Sequence, residues 1–171
     1  MRYHSLVAVA VCACAVVGFS SQNSARASGY CQTGDLKFAL GASTGPAGQK
    51  TLAVDLTNKG SSACTMAGFP AVSLVGRALG KQNYTWPLEW ASRSYQRVTV
   101  HPGGTAHFDI VYVPGSPSDA RNGNTDILVS KLVITPPHDH ANAVVPWRQS
   151  VLLQDGATHP GTFSTPIVPG R

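Results

Sequence analysis

The chain has 171 residues, of which 12% are charged, 17 are glycine and 12 are proline. Such heavy punctuation argues against helical bundles and coiled coils, which need long Gly- and Pro-poor runs. The length falls short of the ~200 residues of a (β/α)8 barrel, and a hydrophobic fraction of 43% argues against disorder.

The N-terminus reads as an export signal. Arg2 and His4 precede an uncharged apolar run at residues 6–19, and Ala25-Arg26-Ala27 fits a small-x-small cleavage site. The run is shorter than the ~20 residues that a spanning helix needs. The expected organisation is a signal peptide at residues 1–27 and a single domain at residues 28–171, secreted or held in the cell wall. An acylated lipoprotein would need a cysteine just after the apolar run. Cys12 and Cys14 come too early and Cys31 too late.

Loss of Arg2 and Arg26 takes the formal net charge from +5 to +3. The remaining basic residues are scattered, so no phosphate-tracking stripe for nucleic acid is visible. No later segment is long and apolar enough to span a bilayer. Of the four cysteines, Cys12 and Cys14 leave with the signal. In an exported chain Cys31 and Cys64 then have each other to pair with.

Downstream, apolar residues recur with period two, the mark of half-buried strands. Leu36, Phe38 and Leu40 alternate with Lys37 and Ala39. Leu52, Val54 and Leu56 alternate with Ala53, Asp55 and Thr57. Strands are expected at 71–75 and 97–100, then at Phe108, Ile110 and Tyr112, and further on at 127–135, 150–153 and 162–168. Asn58-Lys59-Gly60-Ser61, Pro102-Gly103-Gly104 and Pro114-Gly115-Ser116-Pro117 supply the turns between them. This spacing predicts an all-β fold, an immunoglobulin-like antiparallel β-sandwich of about seven to eight strands.

Motifs for chemistry are sparse. Gly41-Ala42-Ser43-Thr44-Gly45 matches the nucleophile elbow, but the residues after it promise another strand rather than the helix whose amides complete an oxyanion hole. Gly76-Arg77-Ala78-Leu79-Gly80-Lys81 is one residue short of the phosphate-loop spacing. His138 and His140 flank Asp139; in an extended segment the two imidazoles would share a side, near enough to hold a metal. A tight site needs three or four ligands, so these two are weak metal candidates. The eight acidic residues show no spacing that selects a catalytic pair. No cofactor is expected, and no catalytic residue is assigned.

The segment at residues 81–97 concentrates Tyr84, Trp86, Trp90 and Tyr95 beside Arg93 and Arg97. Aromatic and Arg side chains are the types enriched in binding hot spots, and indole and phenol faces also suit sugar rings. Tyr84, Trp86, Trp90, Tyr95 and Arg93 are therefore the candidate binding surface. The competing expectation is that these rings cover an edge of the sandwich, with Pro87 ending a strand.

Cys31 is followed by the strand up to Leu40, the Gly45-Pro46-Ala47-Gly48 turn, the strand ending Leu56-Thr57-Asn58, and Cys64-Thr65-Met66-Ala67-Gly68-Phe69-Pro70. Val98-Thr99-Val100-His101-Pro102-Gly103-Gly104-Thr105-Ala106 and Ile134-Thr135-Pro136-Pro137 come later in the chain. This ordered set resembles the DUF4232 family of exported actinobacterial proteins. The resemblance implies an immunoglobulin-like sandwich, secreted or lipid-anchored, and carries no catalytic residues. This chain lacks the second cysteine pair and the lipoprotein signature that many members have. The expectation is a non-enzymatic module binding an envelope protein or a glycan, the alternative being a small secreted hydrolase or a metal-binding protein using His138 and His140.

Overall fold

The computed structural model describes residues 29–46, 48–117, 126–152 and 161–170. The expected signal peptide at residues 1–27 lies outside them.

Twelve strands occur among the described residues. They are β1 (Leu36–Thr44), β2 (Lys50–Asn58), β3 (Cys64–Ala67), β4 (Ala71–Ala78), β5 (Lys81–Pro87), β6 (Glu89–Trp90), β7 (Arg97–Val100), β8 (Thr105–Tyr112), β9 (Asp126–Thr135), β10 (Ala143–Leu152), β11 (Phe163–Ser164) and β12 (Val168–Pro169). One sheet runs β1-β2-β8-β11-β6, with β12 also on β8. The other runs β10-β9-β4-β5, and β3 pairs with β7. These strand pairings are antiparallel except β11 with β6.

The fold is the expected all-β antiparallel sandwich, with more strands than the expected seven or eight. The additional ones are short or polar. β3 and β6 are too brief to show a period, β5 carries Gln82 and Asn83 where an apolar run would have marked it, and the segment expected at 162–168 holds two short strands, β11 and the start of β12. The segment foreseen at 150–153 is, over its described residues 150–152, the end of the longer β10. Pro146 sits in β10 at an edge of its sheet, beside a register shift, where a missing N–H is tolerated.

The core follows the alternation. Leu52, Val54 and Leu56 pair with Ile110, Phe108 and Ala106, and all are buried. Opposite them, Val72 and Leu74 pair with Ile134 and Leu132, also buried. Because adjacent strands share one register, each inward row meets another and the two sheets close over one apolar layer. Tyr112 of β8 meets Trp147 of β10 edge to face at 5.1 Å, joining the two sheets. Phe38 and Leu40 are only half-buried, because β1 is an edge strand.

The near-match to a phosphate loop is the β4–β5 hairpin. Leu79 and Gly80 both have positive φ, 48° and 72°, between the pair Ala78 and Lys81. Two consecutive positive φ values make the tight turn that suits the twist of a hairpin. Among the described residues no helix is long and apolar enough to cross a membrane.

Candidate functional site

The aromatic segment divides at Pro87. Tyr84 and Trp86 lie on β5 and pack, half-buried, against the core. The amide of Leu88 then bonds the carbonyl of Val72 at 2.8 Å, and the chain crosses to the other sheet, where β6 pairs with β11. Beyond the crossing, Trp90 and Tyr95 are 59% and 57% exposed. Two of the five candidate surface residues therefore belong to the packing of the sandwich, as the edge-cover expectation had it. Trp90, Tyr95 and Arg93 face solvent.

Trp90 is exposed yet held. Its indole Nε1–H donates to the carbonyl of Pro70 at 3.2 Å, and its ring stacks on Phe69 with centroids 5.4 Å apart and planes 17° apart. Tyr95 meets Phe69 edge-on at 6.1 Å. The backbone beneath is also tied, with the Ala91 amide on the Ser164 carbonyl at 2.9 Å and the Ile167 amide on the Gly68 carbonyl at 2.9 Å.

A second ring group lies along the same ladder. Tyr30 bridges β3 at Thr65, with the Cys31 amide bonding the Thr65 carbonyl at 2.9 Å and the Thr65 amide bonding the Gly29 carbonyl at 3.0 Å. The Cys31–Cys64 disulfide locks this arrangement. His138 stacks on Tyr30 at 3.9 Å and 21°, and the Arg97 guanidinium lies 5.8 Å from the Tyr30 centroid, within cation–π range. Tyr30, Arg97 and His138 are all exposed.

The β3–β7 register joins the two groups. Ala67 pairs with Arg97. Phe69 lies two residues beyond Ala67 and Tyr95 two before Arg97, so their contact continues the ladder past the strand ends. Phe69, Tyr30 and His138 were not among the candidate surface residues. Phe69 stands between Gly68 and Pro70 in the Cys64-to-Pro70 block, and the sequence marks His138 only as a weak metal candidate.

The extended geometry in which His138 and His140 would share a side is not formed. The segment is a turn rather than an extended chain. His138 has φ 65°, and the Asp139 amide bonds the Pro136 carbonyl at 3.2 Å. Among the described residues no group of three or more His, Cys, Asp or Glu side chains is placed to hold a metal; His159 lies outside them. Asp139 instead ties the N-terminal segment to this turn. Its Oδ2 accepts from the Thr33 amide at 2.6 Å and the Thr33 hydroxyl at 2.7 Å, and its Oδ1 from the amides of His140 and Ala141. The Thr33 hydroxyl, and after it the Thr33 amide, hold the Asp139 carboxyl well below the usual carboxylate range.

Ser43 of the elbow-like motif lies on β1, past the register shift that follows Leu40. The Tyr112 hydroxyl donates to Ser43 Oγ at 3.1 Å. β2 follows, so the motif serves a hairpin.

The model of the family described as a domain of unknown function, DUF4232, matches residues 31–165. The chain belongs to that family. No curated protein shows significant similarity to it. The DUF4232 span begins at the first bridged cysteine and includes Phe69, Trp90, Arg93, Tyr95, Arg97 and His138. The Cys64-to-Pro70 block within it is β3 followed by the turn into β4, with Gly68 at φ 106° and Phe69 presented to Trp90. In this DUF4232 chain one block thus carries both the disulfide and the ring on which the exposed tryptophan rests.

Proposed function

We propose that the protein is an exported, non-enzymatic binding module of the cell envelope. The surface around Phe69, Trp90 and Tyr95 is its binding face, and its partner is an envelope protein or a glycan. The observation that carries this reading is Trp90, which is 59% exposed although its N–H and one ring face are engaged by Pro70 and Phe69. A tryptophan kept in solvent in a fixed orientation has already lost the rotamer freedom that binding would otherwise cost. It offers the large amphipathic face typical of hot spots. Export is supported by the apolar run with its Ala-Arg-Ala site and by a disulfide that persists in oxidising compartments. The non-enzymatic reading is supported by the engagement of the motif residues elsewhere, Ser43 by a phenol and Asp139 by Thr33.

The test is capture from envelope extract by wild-type protein and by Trp90→Ala, Tyr95→Ala and Trp86→Ala, each with a urea unfolding curve. Trp90→Ala is expected to change stability by less than about 1 kcal/mol, as for exposed sites, while reducing capture at least tenfold. Trp86→Ala, which truncates a ring packed on the core, is expected to cost about 2–3 kcal/mol, somewhat under the value for a fully buried ring. Capture unchanged in both Trp90→Ala and Tyr95→Ala would remove the assignment of the face.

A further inference from the structure

The two ring groups and the arginine between them form one strip, and we propose that its ligand is an acidic polysaccharide lying along it, from Trp90 past Arg97 to Tyr30 and His138. This rests on the reading of the Trp90 surface as a binding face and names the class of partner.

Three observations carry it. The first is the order of groups. Rings stand at both ends, Trp90 and Tyr95 on Phe69 at one and Tyr30 with His138 at the other, with the Arg97 guanidinium between. Tyr95 and Arg97 are two residues apart, about 7 Å along an extended chain. Ring, cation, ring is the complement of a polymer whose units each carry an apolar sugar face and an acid group. A single sugar would meet only one end.

The second is charge. Arg97 lies exposed over Tyr30, and Arg93 is exposed in the loop two residues before Tyr95; guanidinium forks match carboxylate and phosphate oxygens bidentately. The nearby carboxylates do not cancel them. Asp139 is taken up by Thr33 and by the amides of its own turn. Glu89 precedes Trp90 on β6, and alternation along a strand turns consecutive side chains to opposite faces.

The third is rigidity. Arg97 rests over Tyr30, Tyr30 is locked by the neighbouring disulfide and the bridge to Thr65, and Trp90 is locked by Pro70. A stiff polysaccharide chain is favoured by a strip already set in place. A single-stranded nucleic acid would also stack on rings, but it binds through a continuous basic groove, whereas two arginines here are spaced among aromatic groups.

Titration calorimetry on the protein tests the inference with four probes: hexagalacturonate, neutral cellohexaose, inorganic polyphosphate and a ten-residue oligothymidylate. Hexagalacturonate is expected to bind, at least tenfold more tightly than each of the other three. That binding is expected to weaken at least tenfold in Trp90→Ala and in Arg97→Ala, to be partly restored in Arg97→Lys, and to be unchanged in Lys37→Ala on β1. Melting curves accompany every variant. Equal binding of cellohexaose would overturn the role of the acid groups. Equal binding of polyphosphate or the oligonucleotide would overturn the role of the sugar rings. If no saccharide binds, the inference fails, and the Trp90→Ala capture experiment then decides separately whether the binding face itself stands.

Discussion

Replacing Cys31 and Cys64 together by alanine cuts the covalent tie between the start of the domain and β3 and leaves the polar ties in place. The bridged residues are 33 apart in sequence. The chain-entropy relation for a loop of that size gives about 3.7 kcal/mol at 25 °C. In the folded protein the segment stays docked by the Cys31–Thr65 and Thr65–Gly29 backbone bonds and by Thr33 on Asp139. The loss therefore falls on the unfolded chain, which gains freedom, rather than on native contacts. Cys31 is fully buried, so truncation to alanine adds a small packing loss, roughly 1 kcal/mol or less. For a domain of this size each kcal/mol lowers the melting temperature by about 2–4 °C, which puts the expected fall at roughly 7–19 °C. Urea unfolding and thermal melts of the oxidised protein and the double variant measure it. The slope of free energy against urea should stay constant or rise slightly as the unfolded chain expands. A stability difference below about 1 kcal/mol would refute the reasoning, because the loop would then contribute no entropy to the unfolded state.

Asp139 makes stability depend on acid in a defined direction. Its carboxyl is held below the ordinary range in the folded protein, so its contribution is complete above the unfolded value of about 3.9 and is lost as the pH falls below it. Asp139→Asn should be less stable than wild type at neutral pH, and the gap should close as urea curves are taken below about pH 4; a gap that widens in acid would contradict the tie to Thr33. Gly76→Ala would place a methyl group 2.1 Å from the Leu128 carbonyl oxygen and 2.8 Å from Val129 Cα. Both are backbone of the neighbouring strand β9, so in place of the usual gain of about 0.4–1 kcal/mol from replacing a glycine, a loss of about 1–3 kcal/mol or more is expected. A variant as stable as wild type would show that β4 and β9 can separate there.

Much of the fold could be read in advance wherever one strand face is buried and the other is not. In β2 and β8 that contrast writes itself as Leu52, Val54, Leu56 and Phe108, Ile110, Tyr112, and the cysteine pairing followed once two of four cysteines were assigned to the leader. Edge and corner pieces were not legible. β3 and β6 are too short to carry a period, and β5 is polar on its outward face because it borders a sheet.

The candidate binding surface shows where local reading stops. Tyr84, Trp86, Trp90 and Tyr95 stand in one short segment and look equivalent as residues. Their fates separate because the chain changes sheets at Leu88. Two rings face the core from β5, and two emerge where β6 and the following loop border the other sheet. Phe69, which supports Trp90, is brought there by the β3–β7 register. Arg97 meets Tyr30 because the disulfide and the Thr65 bridge set the N-terminal segment beside that ladder. Composition and period determined the class of fold, since burial of alternate residues is a local property of a strand. Which aromatic rings share a surface was decided only by tertiary structure, since it depends on pairings between strands distant in sequence.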